Sequence, residues 1–167
     1  MIFTYIVTAI IVLVSLLIQS HPSFDVLRIA GIKPDLIFII VVYVGYSFGS
    51  ITGQVTGFIG GLFHDSISHS PFGFLALPKL AVGFMVGMIG RSVLKSNIPT
   101  VILLLFVSTL VKGIITLFLS YIFTQGDLSS IIHIIIPESF YNALLAPPLF
   151  FLFDKIYYRE LEREGYL

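Results

Sequence analysis

The chain contains no cysteine. That excludes disulfides, thiol catalysis and cysteine-based metal sites, and leaves the compartment undecided. Tryptophan is also missing, so tyrosine has to serve wherever an aromatic ring sits at a membrane–water boundary. Charge is scarce. Only 11% of the 167 residues are charged, where a soluble domain carries about 25%. Nine basic and nine acidic residues cancel to zero net charge, so no overall basic field draws nucleic acid or anionic lipid. The remainder is apolar: 57% hydrophobic, with a mean hydropathy of +1.04. Such a chain is an all-α, polytopic integral membrane protein whose solvent is the lipid bilayer. Its length suits a single domain.

A helix needs about 20 apolar residues to cross a hydrocarbon core of about 30 Å. Met1–Gln19 fits that length. No Lys or Arg precedes it and Ser20-His21-Pro22 is a poor cleavage site, so it reads as a retained span rather than a signal peptide. A polar connection follows, in which residues 24–29 suit a short interfacial helix. Pro34-Asp35 opens the next apolar run. Proline is tolerated in a first helical turn, and aspartate there complements the helix dipole. Further spans are expected over Phe72–Gly90, Thr100–Phe123 and Ile131–Phe153, the last with its helix proper beginning near Pro137. Pro147-Pro148 predicts a kink. The transmembrane domain ends at residue 153, and residues 154–167 form a short charged tail, read as a solvated cytoplasmic helix end.

Between Pro34 and Phe63 the length is awkward, at 30 residues or about 45 Å as one helix. Within it Gly45, Gly49, Gly53, Gly57 and Gly61 recur every fourth residue. In water each mid-helix glycine costs roughly 1 kcal/mol. In a bilayer a glycine stripe lets a neighbouring helix approach closely. Gly83 and Gly87 supply a second small-residue pair. The stripe is expected to pack first within the chain and second against a partner's helix. If the run breaks near Ser47–Ser50 there are six spans with both termini cytoplasmic; if it is one bent helix there are five, with the N-terminus outside. Six spans put Arg91, Lys95, Lys155, Arg159 and Arg163 inside but leave Arg28 and Lys33 outside. Five put all seven inside, which the positive-inside rule prefers.

Few polar groups interrupt the spans. Lys112 lies near the middle of one, at a cost of about 2.5–3.5 kcal/mol. Its expected partner is Glu138, or else backbone carbonyls freed near Pro137; if Lys112 and Glu138 pair directly, a charge exchange between the two is expected to rescue each single mutant. Lys79 is expected to snorkel or to cap carbonyls freed by Pro78. Asn142 suits a hydrogen bond across helices. His64, Asp65 and His69 lie within six residues, yet residues five apart share no helix face, and Asp65 reads better as an acceptor for backbone N–H groups. No metal site, cofactor site or nucleophile–base set is expected, and no nucleic-acid partner.

The Gly31-Ile-Lys-Pro-Asp35 stretch, the Gly53-x3-Gly57-Phe-x-x-Gly61-Leu-Phe-x-Asp65 block and the following Phe72-Gly73 and Leu77 carry a resemblance. They resemble the rod shape-determining protein MreD family. The resemblance implies six spans with both termini cytoplasmic, in the bacterial inner membrane. It implies a non-catalytic subunit of the cell-elongation machinery, helping to assemble peptidoglycan synthesis for cell-shape maintenance. MreC is the partner it implies, with MreB, RodA and a class B penicillin-binding transpeptidase in the wider complex. The architecture is also similar to the substrate-binding subunits of energy-coupling-factor vitamin transporters, and such a membrane subunit is the rival reading. The residues expected to matter are Gly53, Gly57, Gly61, Gly83 and Gly87 for helix packing or partner contact. Pro34, Asp35, Asp65, Lys112 and Glu138 are the expected structural polar positions.

Overall fold

The structure is a computed structural model and describes residues 2–21, 28, 32–68, 71–94, 96–123 and 128–163. The helix expected over 24–29 falls almost wholly outside them, as does His69. Among the described residues there are seven helices: α1 Ile2–Ser20, α2 Leu36–Phe48, α3 Ser50–Ser68, α4 Ala76–Val93, α5 Ile98–Phe123, α6 Leu128–Ile156 and α7 Tyr158–Arg163. Three of them contain segments long and apolar enough to cross a membrane: Phe3–Ser20, Ile98–Phe123 and His133–Ile156.

The glycine-rich run is two helices. Gly49 separates α2 from α3 with φ of 91°, a left-handed conformation that glycine adopts without a Cβ penalty. The chain then doubles back. Gly45 faces Gly53, while Ile37 faces Gly60, so α2 and α3 run antiparallel. The same reasoning orders the rest. Gly57 meets Lys79 and Gly61 meets Ala76, so α3 and α4 are antiparallel. Thr109 pairs with Asn142 and Lys112 with Glu138, so α5 and α6 are too.

At the centre stands α2. Every residue from Ile37 to Ser47 is buried. A helix apolar on all sides is stable only when surrounded, and α2 touches α1, α3, α4, α5 and α6. Its N-terminal donors would be costly to leave unmet in an apolar interior. Asp35 Oδ1 accepts from Phe38 N at 3.0 Å. The Gln19 side-chain oxygen of α1 accepts from Leu36 N at 2.8 Å and Ile37 N at 3.2 Å. Asn142 Oδ1 of α6 accepts from Asp35 N at 3.0 Å.

The outer helices are built inside out relative to a soluble bundle. The buried residues of α3 are Thr52, Gly53, Thr56, Gly57, Gly60, Gly61 and Asp65. Its outward face carries Ile51, Phe58, Phe63 and Ile67. On α4 the exposed side chains include Leu77, Phe84, Met88 and Val93.

Several boundaries differ from expectation. Helix α4 starts at Ala76, so Pro78 sits in its first turn and removes no intrahelical bond. Helix α6 starts at Leu128 rather than near Pro137, and runs through Pro137, Pro147 and Pro148. The tail is not simply solvated. Tyr157 and Leu161 are buried in the core, with the Tyr157 ring 5.2 Å from Phe48 and 5.8 Å from Tyr43.

Candidate functional site: a glycine seam and a buried ion cluster

The glycine stripe faces inward. A Cβ added to Gly57 would lie 2.5 Å from the Lys79 carbonyl oxygen, and one on Gly45 would lie 2.7 Å from that of Gly83. Gly53 is as close to Gly83, Gly61 to Ala76, and Gly87 to Ser50. Backbone meets backbone along the whole α3–α4 seam, so no side chain larger than hydrogen fits. The same five glycines offered for helix packing are filled from within the chain, and α4 occupies the face that a partner's helix would need.

At one end of the seam Asp65, fully buried, turns its carboxylate on the start of α4. Oδ2 accepts from Gly73 N at 2.9 Å and Ala76 N at 3.3 Å, and Oδ1 from Leu75 N at 2.8 Å. These donors have no partner inside their own helix. Gly73 makes the turn with φ of 94°. The spacing from Gly61 to Asp65 and on to Gly73 therefore has one physical purpose: glycines bring α3 and α4 together, and the aspartate fastens the connection between them.

Beside Asp65 lies the ion cluster. Asp35 Oδ2 accepts from Lys79 Nζ at 2.8 Å and from Lys112 Nζ at 3.1 Å. Lys112 Nζ also donates to Glu138 Oε1 at 2.5 Å and lies 4.8 Å from the Phe38 ring centre. Lys79 Nζ lies 3.2 Å from His64 Nδ1. Asn142 holds the Asp35 backbone and reaches Thr109 Oγ1 at 3.4 Å. One charge comes from the N-cap of α2 and one from each of α4, α5 and α6, and His64 joins from α3. Two ammonium and two carboxylate groups balance, which is the condition for keeping charge out of water. Pro34 precedes Asp35 and lines the adjoining cavity.

The expected Lys112–Glu138 contact is only one edge of this cluster. Asp35 does more than cap α2, because it joins two lysines. Lys79 neither snorkels nor caps carbonyls. It is 1% exposed and spends its charge on Asp35. The signal available in the sequence was the tally of charges inside apolar runs: Asp35, Lys79, Lys112 and Glu138 make two of each sign.

A second polar knot ties the other end of α2. Arg91, expected on the cytoplasmic side just past the span ending at Gly90, is buried in the last turn of α4. Its guanidinium pairs with Asp154 of α6, and Nε donates to Ser47 Oγ at 3.2 Å. The guanidinium carbon lies 5.3 Å from the Tyr46 ring centre and 5.8 Å from that of Tyr43. The Tyr43 hydroxyl donates to Asp154 Oδ1 at 2.9 Å. Helix α4 bends at Gly90, with φ of 55°, just before this arginine.

Nothing in this arrangement is a catalytic set. Both carboxylates of the cluster are committed to lysines, and Asp65 to backbone. Among the described residues no three metal-binding side chains converge. The geometry serves to lock helices together. No curated protein and no solved structure matches the chain. One family does, described as rod shape-determining protein MreD, over residues 1–160 of 167. With a match spanning both polar knots and the seam between them, the chain belongs to the MreD family of rod shape-determining membrane proteins.

Proposed function

We propose that the protein is a non-catalytic subunit of the rod-shape machinery in the bacterial inner membrane, helping to assemble peptidoglycan synthesis proteins. The observation that carries this reading is the family match over residues 1–160. MreC is the direct partner in this reading, with MreB, RodA and a class B penicillin-binding transpeptidase further out. Helices α1 to α6 cross the membrane and both termini are cytoplasmic. Support comes from the antiparallel order of the helices and from the apolar outward faces of α3 and α4, which suit lipid although their inner faces are too polar for either helix to read as a span. With the glycine seam filled from inside, partner helices pack on outward apolar faces such as Phe3, Ile6, Ile10 and Leu17 of α1.

The test is purification of the full chain from its own cells in a mild detergent, followed by identification of what accompanies it. Morphogenesis proteins are the expected result. An energising ATPase module in their place overturns the reading in favour of a transporter subunit. A reporter fused ahead of α1 checks topology: cytoplasmic signal is expected, and an outward signal refutes six spans.

A further inference from the structure

The ion cluster forms one wall of a cavity of about 510 Å³. The cavity lies where α1 and α3 end and α2, α4 and α6 begin. Its volume falls within the range of about 300–1,000 Å³ typical of small-molecule sites. Most of its wall is apolar, including Leu16, Ile67, Phe74, Leu75 and Ile134. Mutually bonded polar groups converge on one part of it: Lys79, Lys112, Asp35, Glu138 and His64. An apolar chamber with a few convergent charged groups is how a ligand site is built.

The hydrogen-bond count gives the sign of the ligand. An ammonium has three protons. Lys79 spends one on Asp35 and one on His64. Lys112 spends one on Asp35 and one on Glu138. Each therefore keeps one donor beyond its hydrogen bonds, that of Lys112 beside the Phe38 ring, 4.8 Å from its centre. With Nδ1 of His64 accepting from Lys79, the ring proton is on Nε2, which is a further donor. On the acceptor side, Asp35 is used at both oxygens, and Glu138 Oε2 is what remains. The surplus is of donors, which the lone pairs of a phosphate or carboxylate would satisfy.

We propose that this cavity binds a small amphipathic anion, its phosphate or carboxylate against Lys79 and Lys112 and its apolar body along Leu16, Ile67 and Phe74. The ligand chemistry is the same whether the anion is a lipid headgroup or a free metabolite. This goes beyond the assembly role, which requires no ligand, so the two proposals fail separately: one by what co-purifies, the other by what binds.

The test exploits the absence of tryptophan. Ser68, exposed at the cavity, is replaced in Ser68→Trp, giving the chain its single indole. The full-length variant in a neutral maltoside detergent is titrated with octyl phosphate and with octanoate. Saturable fluorescence changes are expected for both, and at least tenfold weaker ones for octyltrimethylammonium and octyl glucoside. Adding Thr116→Phe, which fills the cavity from α5 and gives up only the Thr116 hydroxyl's bond to the Lys112 carbonyl, leaving the four charged side chains in place, is expected to abolish the response while the protein still elutes as a single species. The unmodified chain supplies an independent measurement, a saturable rise in its unfolding temperature with octyl phosphate. Competition by an anionic phospholipid retained through purification, identified by native mass spectrometry, assigns the lipid source. Competition by inorganic phosphate assigns a free anion. An equal response to the ammonium amphiphile, a response that survives Thr116→Phe, or no saturable response in both the variant and the unmodified chain overturns the proposal.

Discussion

Asp35→Asn is the substitution that most directly tests the ion cluster. It preserves the shape of the side chain and its ability to cap α2, since the amide oxygen can still accept from Phe38 N. What it removes is the negative charge shared by two lysines. Lys79, 1% exposed, is left with a neutral amide and a histidine in place of any carboxylate, and Lys112 with Glu138 as its one anion. Removing one member of a buried ion pair costs about 3–5 kcal/mol, because the other charge stays buried without compensation. At about 1.4 kcal/mol per decade, that is two to nearly four powers of ten in the folding equilibrium. Glu138→Gln is the contrasting substitution. Glu138 is more exposed, with 15% of its side chain accessible, and its loss leaves Lys112 bonded to Asp35. That change costs about 1.5–3 kcal/mol, the value of one charge-assisted hydrogen bond. The assay is the temperature at which each variant loses its monodisperse elution peak in maltoside micelles. Asp35→Asn is expected to fall well below Glu138→Gln. Adding Lys79→Met to Asp35→Asn removes the stranded ammonium, and should recover about 0.5–3 kcal/mol of coupling. If Asp35→Asn is no worse than Glu138→Gln, or Lys79→Met makes it worse still, the shared-carboxylate account would be refuted.

Other outcomes follow from the same geometry. Exchanging charges in Lys112→Glu with Glu138→Lys is expected not to restore the protein levels lost in the single mutants, read by immunoblot of membranes, because a carboxylate at position 112 would face Asp35 where an ammonium now stands 3.1 Å away. Gly57→Leu drives a side chain into the Lys79 carbonyl, and overpacking of this kind costs at least about 1–3 kcal/mol; it is expected to lower the unfolding temperature more than Gly60→Ala, whose Cβ meets side-chain methyls rather than backbone, Ile37 Cγ2 at 3.1 Å and Val12 Cγ1 at 3.5 Å. Asp65→Ala strands the Gly73, Leu75 and Ala76 amides at about 1–3 kcal/mol for an unsatisfied buried group, while Asp65→Asn keeps an acceptor and loses less; proteolysis of the 71–76 turn reads the difference. Tyr43→Phe removes one hydrogen bond to Asp154, worth about 0.5–1.5 kcal/mol, whereas Arg91→Met leaves Asp154 without its cation and is expected to shift the unfolding temperature further.

How much of this was legible beforehand varied with the range of the interaction. The helical break in the glycine run was expected near Ser47–Ser50, and it falls at Gly49, where a local backbone conformation decides it. The use of Asp65 as an acceptor for turn amides was also readable, because its partners lie within eleven residues. The start of α6 was misplaced. Proline argued locally for a boundary at Pro137, but the helix begins at Leu128 and carries the proline inside it. The placement of Arg91 failed for a related reason. Its charge suggested a loop, while its true partner, Asp154, is 63 positions away.

By itself, the sequence determined the solvent and the elements. Scarce charge and abundant apolar side chains require a bilayer, and apolar runs of about 20 residues cross one as helices whose backbone bonds close within each segment. It also determined that a glycine stripe would lie at a close helix contact. Only the tertiary structure decided which contact. The stripe packs against α4, and that choice places Lys79 beside Asp35 and directs large apolar side chains outward. The physical reason is that a buried charge specifies that it needs a partner, not which one. Asp35, Lys79, Lys112 and Glu138 lie up to 103 positions apart in the chain (35 to 138) and become one cluster because α4, α5 and α6 bring their polar positions to the N-terminal end of α2.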